Sequence, residues 1–326
     1  MLKAAIVGLG RYADRLVAPV QGVSDKIEFV AGATRDPARG EAFAARHGLR
    51  LARDYAALLS DAEVEAVVLA TPHSLHAEQV QQAAHAGKHV FVEKPFTLTR
   101  ASAEETVAIC RRQGIVLAVG FQSRFYPAFA ELQKAVRGGV LGEILHIEAQ
   151  ISGPPGGTQD RTPGHWRTSR TEQPAGGMTG KGVHLLDLMI ALCGPVESVY
   201  ARSDRRTASW TVDDVTSMLM QFRSGASGYL ATVLATAQYW RFQVLGSAGW
   251  AEIRDQTELT IQPLKGEAVK LSLPDAGARR AELEAFADAV ALGTAYPVTH
   301  DEAVAGAAAL EAIEQSAARR VEVKIP

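Results

Sequence analysis

Cysteine is scarce: the 326 residues contain two, Cys110 and Cys193. They lie far apart and make no metal-ligand spacing, which points to a reduced, cytoplasmic chain rather than a disulfide scaffold. Excess charge is missing as well. Lys and Arg number 34 against 36 Asp and Glu, a formal net charge of −2. That balance gives no electrostatic footprint for nucleic acid or an anionic membrane surface. No run of about 18 apolar residues occurs, so no membrane-spanning helix is expected. The opening MLKAAIVGLGRYA is apolar for only a few residues before glycines interrupt it, and no small-residue cleavage site follows. It is not read as a signal peptide. Internal repeats and low-complexity tracts are absent. His73 and His76 have no further ligand-like partners, and His85 and His89 straddle a helix-to-strand junction, so no zinc or other metal site is expected.

What remains is ordinary globular composition, 47% apolar and 21% charged, on a chain long enough for two domains. In the first third, short apolar segments at 3–9, 27–33, 64–70, 89–94 and 115–121 alternate with helical patterns at 11–23, 37–47, 75–86 and 99–113. That alternation predicts βαβ units and a buried parallel sheet. Asp36 and Pro37 read as the cap and first position of the second helix. After residue 121 the pattern changes. A helix over 127–137 is followed by a strand, a Gly/Pro-rich stretch over 153–177, and a helix near 181–193. Several consecutive strand patterns and two final helices complete the chain. The prediction is α/β: a Rossmann doubly wound sheet over 1–121, then an α/β domain with an open, mostly antiparallel sheet over 122–326. The C-terminal helices have a second possible place, packed back on the first domain.

The first strand runs into Gly8-Leu9-Gly10-Arg11-Tyr12-Ala13, the G-x-G-x-x-A form of the dinucleotide fingerprint. The first glycine permits a tight turn, the second admits a pyrophosphate, and Ala13 lets helix pack on strand. An acid at the end of the second strand selects NAD, whereas a cation accommodates the extra phosphate of NADP. Here Thr34 and Arg35 stand at that end, so NADP is favoured and NAD stays open, with a solvated Arg35 as the alternative.

Ligands of open parallel sheets sit beyond the carboxyl ends of the strands. Thr71, Pro72 and His73 lie at one such end and Lys94 at another, in FVEKPF. Pro95 restricts Lys94 to an extended conformation. A lysine whose pKa falls toward neutrality by desolvation or a nearby cation is able to carry the proton that accompanies hydride transfer. The plainer alternative pairs Lys94 with Glu93. In the second domain His184 supplies a residue type that titrates near neutrality, and Asp187, three residues on, shares its helical face and is placed to orient the ring; a structural histidine is the alternative. Trp166 offers an apolar platform and Arg167 a bidentate donor. With Arg124, Tyr126 and Lys181 they are candidates for a polar or anionic substrate pocket.

The ordered set of G-x-G-x-x-A, ATPHSLH, EKP, GFQSRFYP, ELEAFADAV and ALEAIEQSA resembles the glucose–fructose oxidoreductase/inositol dehydrogenase/MocA family over nearly the whole chain. The resemblance implies NAD(P)-dependent redox chemistry on a sugar, cyclitol or related hydroxylated molecule. It also implies Lys94 as the catalytic lysine, and homodimers or homotetramers built through the C-terminal sheet. It suggests cofactor contacts from Thr71, Pro72, His76, Glu93 and Gln122. GGMTGKGVHLLDL resembles the family's second catalytic segment, with His184 matching its histidine but Gly180 at the place of its acid. Two alternatives stay open, the first supported by that departure and the second opposed by the retention of Lys94 and His184. One is a dihydrodiol dehydrogenase or imine reductase in the same fold, and the other a catalytically silent NAD(P)-binding sensor.

Overall fold

The computed structural model describes residues 1–154, 165–207 and 211–326. Part of the Gly/Pro-rich stretch expected as a functional loop lies outside the described residues. In chain order the first elements are β1 (Leu2–Val7), α1 (Arg11–Val17), β2 (Ile27–Ala33), α2 (Glu41–His47), β3 (Arg50–Leu51) and α3 (Tyr55–Leu59). There follow β4 (Ala66–Leu69), α4 (His76–His85), β5 (His89–Glu93), α5 (Arg100–Gln113), β6 (Leu117–Gly120), α6 (Pro127–Arg137) and β7 (Ile144–Ser152). Next are α7 (Val183–Cys193), β8 (Val196–Asp204), β9 (Val215–Phe222), β10 (Ser227–Val233), β11 (Tyr239–Gly246), β12 (Gly249–Arg254), β13 (Glu258–Pro263) and β14 (Val269–Ser272). The chain closes with α8 (Ala278–Leu292), α9 (His300–Arg319) and β15 (Val323–Lys324). None of its described helices is long and apolar enough to cross a membrane.

The chain divides into two compact units. The first holds Met1–Thr97, Ala101–Gln122 and Gly277–His300; the second holds Leu98–Arg100, Ser123–Ala276 and Asp301–Pro326. In the first unit six strands pair in parallel, in the order β3-β2-β1-β4-β5-β6. This is the doubly wound order, whose crevice opens beyond the carboxyl ends where the order reverses, between β1 and β4. β4 and β6 are buried along their whole length, as strands covered on both faces must be. Against this sheet packs α8, touching β1, β2, β5 and α1. Phe286 of α8 meets Phe91 of β5 at 5.9 Å between ring centroids.

Three local details differ from the sequence reading. The helix expected over 11–23 ends at Val17. The one expected over 37–47 splits into a single tight turn, Pro37–Arg39, and α2. Asp36 stands at the N-cap of that turn and Pro37 at its first position, as read, but the Asp36 side chain makes no capping hydrogen bond; its carboxylate lies 3.3 Å from Nε of Arg39. Finally, β3 and α3 lie between residues 47 and 64, where the sequence pattern assigns no element. Asp54 caps α3 by accepting from the Ala57 amide at 2.8 Å.

The second unit is a nine-stranded sheet, β14-β13-β12-β11-β7-β10-β9-β8-β15. All neighbours are antiparallel except β7 and β10. α6 packs on β12 and β13, and α7 on β7. The strands alternate buried and exposed positions, so one face is covered and the other open. On the open face Tyr200, Leu219 and Tyr229 stand in register across β8, β9 and β10, and all three are exposed.

Candidate active site

Because the first sheet is parallel, β1, β2, β4, β5 and β6 deliver their final residues to one edge. Gly8 follows β1 with φ +90°, a left-handed conformation that favours glycine. A Cβ there would sit 2.6 Å from the Ala70 carbonyl oxygen, so the turn closes only on glycine. Gly10 is the opposite case. A Cβ on it would meet nothing within 4 Å, so the space over the start of α1 is open. Ala13 is fully buried and lets α1 sit close to the sheet. A tight turn, an open cradle and a helix start fit a dinucleotide pyrophosphate. Thr34 directly follows β2 and is half-buried, and Arg35 beside it is exposed.

After β4, the Thr71 hydroxyl donates to Gln79 at 2.6 Å, with Pro72 and a buried His73 following. The His76 ring is fully buried. Its nitrogens lie 2.8 Å from the Pro95 carbonyl and 3.1 Å from the Thr71 carbonyl. The ring therefore ties the end of β4 to the segment that follows Lys94. Lys94 is half-buried at the end of β5, and the Lys94–Pro95 peptide bond is cis. The Lys94 amide donates to Glu93 Oε2 at 3.3 Å. Tyr12 reaches Gln122 after β6, its hydroxyl 3.5 Å from Oε1. Burial pushes the Glu93 carboxyl up to about 7, against the pull of Lys94 and Arg279. A second buried acid, Glu282 of α8, stands in the same neighbourhood and was given no role from sequence. The one signal for it was an acid on the buried stripe of a helix.

The second unit holds the other candidates. Arg124 and Asp187 form a buried two-point pair, Nε to Oδ2 at 2.6 Å and Nη2 to Oδ1 at 2.8 Å. Glu302 of α9 approaches the same guanidinium at 3.1 Å. Burial pushes Asp187 up and Arg124 pulls it back. Burial acts against the Arg124 charge, yet the two acids hold it firmly cationic. Glu302 was not singled out from sequence; it lies 178 residues from Arg124.

Tyr126 is buried and precedes α6, whose first residue is Pro127. His184 is the second residue of α7, which a π-helical turn over Met178–Gly182 introduces. Such turns recur at functional sites because they re-aim side chains. Glycine is needed inside this one: a Cβ on Gly182 would lie 2.2 Å from the Met178 sulfur. At Gly180 a Cβ would meet the Gln173 carboxamide at 3.1 Å, so an amide stands where an acid at this position would project. The Lys181 ammonium donates to the carbonyls of Gly153 at 2.7 Å and Ser152 at 3.1 Å, clamping the end of β7. Burial pulls that ammonium down to about 8. Nearby in sequence, Arg167 stacks over Trp166 at 4.0 Å from guanidinium to ring centroid. Among the described residues no group of three or more His, Cys, Asp or Glu is placed to hold a metal.

The chain is similar to known proteins. A model described as the oxidoreductase family with NAD-binding Rossmann fold, GFO/IDH/MocA, matches residues 2–121. The model of the GFO/IDH/MocA C-terminal domain matches residues 129–252. A D-xylose 1-dehydrogenase (NADP(+)) of Haloferax volcanii is 31% identical, covering 96% of this chain and 96% of its own. A trans-1,2-dihydrobenzene-1,2-diol dehydrogenase of Bos taurus is 28% identical, covering 76% of this chain and 73% of its own. The crystal structure of aldose-aldose oxidoreductase from Caulobacter crescentus, complexed with glycerol, superposes with a TM-score of 0.87 at 27% identity over 99% of each chain. With its parallel six-stranded unit and its mostly antiparallel second unit, the chain belongs to the GFO/IDH/MocA family of NAD(P)-dependent oxidoreductases.

Proposed function

We propose that the protein transfers hydride between the nicotinamide of NADP and a hydroxyl-bearing carbon of a sugar, cyclitol or related small molecule. The observation that carries this reading is Lys94. It directly follows β5 on the edge of the sheet where the glycine cradle also lies, with the buried Glu93 before it. Gly8, Gly10, Arg11, Tyr12, Ala13, Thr34, Arg35, Thr71, Pro72, His73, His76, Glu93 and Gln122 are the candidates to hold the dinucleotide, which supplies the hydride acceptor or donor when bound. In the oxidative direction the substrate O–H bond breaks as hydride leaves the same carbon. The Lys94 amine takes the proton, giving a carbonyl product and an ammonium. His184 assists that proton transfer.

Trp166 and Arg167, already stacked, present a flat apolar and cationic surface to a polyhydroxylated substrate. Arg124 and Asp187 are engaged with each other, and Lys181 with backbone carbonyls. Their contribution is to frame the pocket beside Tyr126 rather than to grip substrate with free charges. NADP is favoured by Arg35 and by the cofactor in the name of the Haloferax volcanii relative. The exposed row of Tyr200, Leu219 and Tyr229 supports a homodimer or homotetramer through the second sheet. The two buried free cysteines fit a reducing cytoplasm.

A dihydrodiol as substrate in the same site is the second reading. It is supported by the Bos taurus relative and by an amide in place of an acid near Gly180. A silent sensor would bind cofactor and turn over nothing on a panel of sugars, cyclitols and dihydrodiols. Paired fluorescence titrations with NADPH and NADH at matched salt test the cofactor assignment. NADPH binding more than about tenfold tighter, roughly 1.4 kcal/mol, is expected. Equal or NADH-favoured binding contradicts the role of Arg35, and binding of neither contradicts the proposal.

A further inference from the structure

The first unit buries two carboxyl groups beside Lys94, only one of which the reaction above touches. Glu93 is 5% exposed and Glu282, on the inner face of α8, is 0% exposed. Oε1 of Glu93 and both oxygens of Glu282 lack a hydrogen-bond partner among the described residues. So does Nε of Arg279, one turn before Glu282 on the same helix. Tyr12 of α1 and the Lys94 amide reach Glu93. On α1, β1, β2 and β5, the described elements packed against α8, the remaining charged or titratable groups are not buried, and His89 of β5 is half-buried. Lys3 and Arg11 are exposed, as is Arg15, while Glu28 and Asp14 are half-buried.

An ionised carboxylate is an acceptor on both oxygens, and a buried one without donors is costly. Two like charges sharing such a site do not both ionise near neutrality. Burial pushes both groups up, and the field of Glu93 adds to the rise at Glu282. Lys94 and Arg279 pull both down.

We propose that Glu93 and Glu282 share one proton at neutral pH, and that Glu282 is a positioning residue that keeps a single negative charge, not two, facing Lys94. The second half of this statement rests on Lys94 being the proton carrier. With one proton on the pair, a single negative charge faces the Lys94 ammonium and the Arg279 guanidinium. When that ammonium gives a proton to Glu93, an N–H bond breaks and an O–H bond forms, and the net charge of the cluster is unchanged. Lys94 and the acid pair therefore titrate as a unit. A doubly ionised pair would hold Lys94 protonated more strongly than a singly charged one.

The test is Glu282→Gln in the full chain, isosteric and uncharged. A carboxyl whose folded-state pKa is raised stabilises the fold below its unfolded value, and this stability is lost as pH rises through the folded value. The melting temperature of Glu282→Gln relative to the parent is thus expected to rise between about pH 5 and pH 8, by at least about 2 °C. A variant less stable than the parent, by a margin that is constant or grows with pH, would mean an ionised Glu282 paired with Arg279 and would overturn the proposal. Should Glu282→Gln not fold, the infrared carbonyl band of a protonated glutamic acid, identified by carbon-13 labelling at neutral pH, decides the same question. Its presence supports the shared proton and its absence overturns it. These readouts need no turnover, so they stand apart from the role of Lys94. In the working enzyme, the pH midpoint of kcat is expected to move by at least about half a unit in Glu282→Gln with KM for cofactor unchanged. An unmoved midpoint removes the positioning role.

Discussion

Arg124 holds Asp187 at two points, and each side chain of the pair is 4% exposed. Glu302 closes the other side of the guanidinium. A buried pair of this kind adds little over an apolar replacement, but removal of one partner leaves a buried charge. Asp187→Ala is therefore expected to lower unfolding free energy by about 3–5 kcal/mol. Asp187→Asn, which keeps the acceptor oxygen, should lose less. Urea denaturation of both variants checks the order, and equal losses would contradict it.

Gly10 and Gly8 should separate ligand binding from folding. A Cβ at Gly10 meets nothing, and its φ of −89° suits any residue. Gly10→Ala is expected to cost no more than about 1 kcal/mol in stability. It should nonetheless weaken dinucleotide binding by more than about tenfold, because the methyl group fills the cradle. Gly8→Ala forces a Cβ against the Ala70 carbonyl at a left-handed φ, so it should destabilise the fold itself. Calorimetric melting alongside cofactor titration distinguishes the two; a Gly10→Ala protein that binds normally would contradict the cradle.

Lys181 gives a pH signature with a definite sign. Burial lowers its ammonium from 10.5 to about 8. Between those values the unfolded chain binds more protons than the folded one, so this residue makes stability rise with pH across that window. Lys181→Met should flatten the rise. Melting curves taken from about pH 8 to pH 10 check it, and a parent whose stability relative to Lys181→Met falls over that range would contradict the assignment.

How far the sequence carries can be argued from these same residues. The Gly8–Gly10 turn and the strand ending at Lys94 are local patterns, written in glycine spacing and in runs of Val and Ile. They are legible without a structure. β3 and α3 are too short, at two and five residues, to carry a period, and went unread. The last two helices read alike as amphipathic segments, yet α8 belongs with the parallel sheet and most of α9 with the second unit. Nothing in periodicity states which sheet a helix covers. The pairing of Arg124 with Asp187, 63 residues apart, and the burial of Glu282 near Glu93 are tertiary facts of the same kind. Side-chain identity names the charge, and only the fold names its partner.

The central claim is that Lys94 moves the proton, and Lys94→Ala tests it most directly. Cofactor titration and turnover would be measured on the same preparation. Cofactor binding is expected to stay within a few-fold of the parent while kcat falls by about 10²–10⁴. Turnover close to that of the parent would contradict the account.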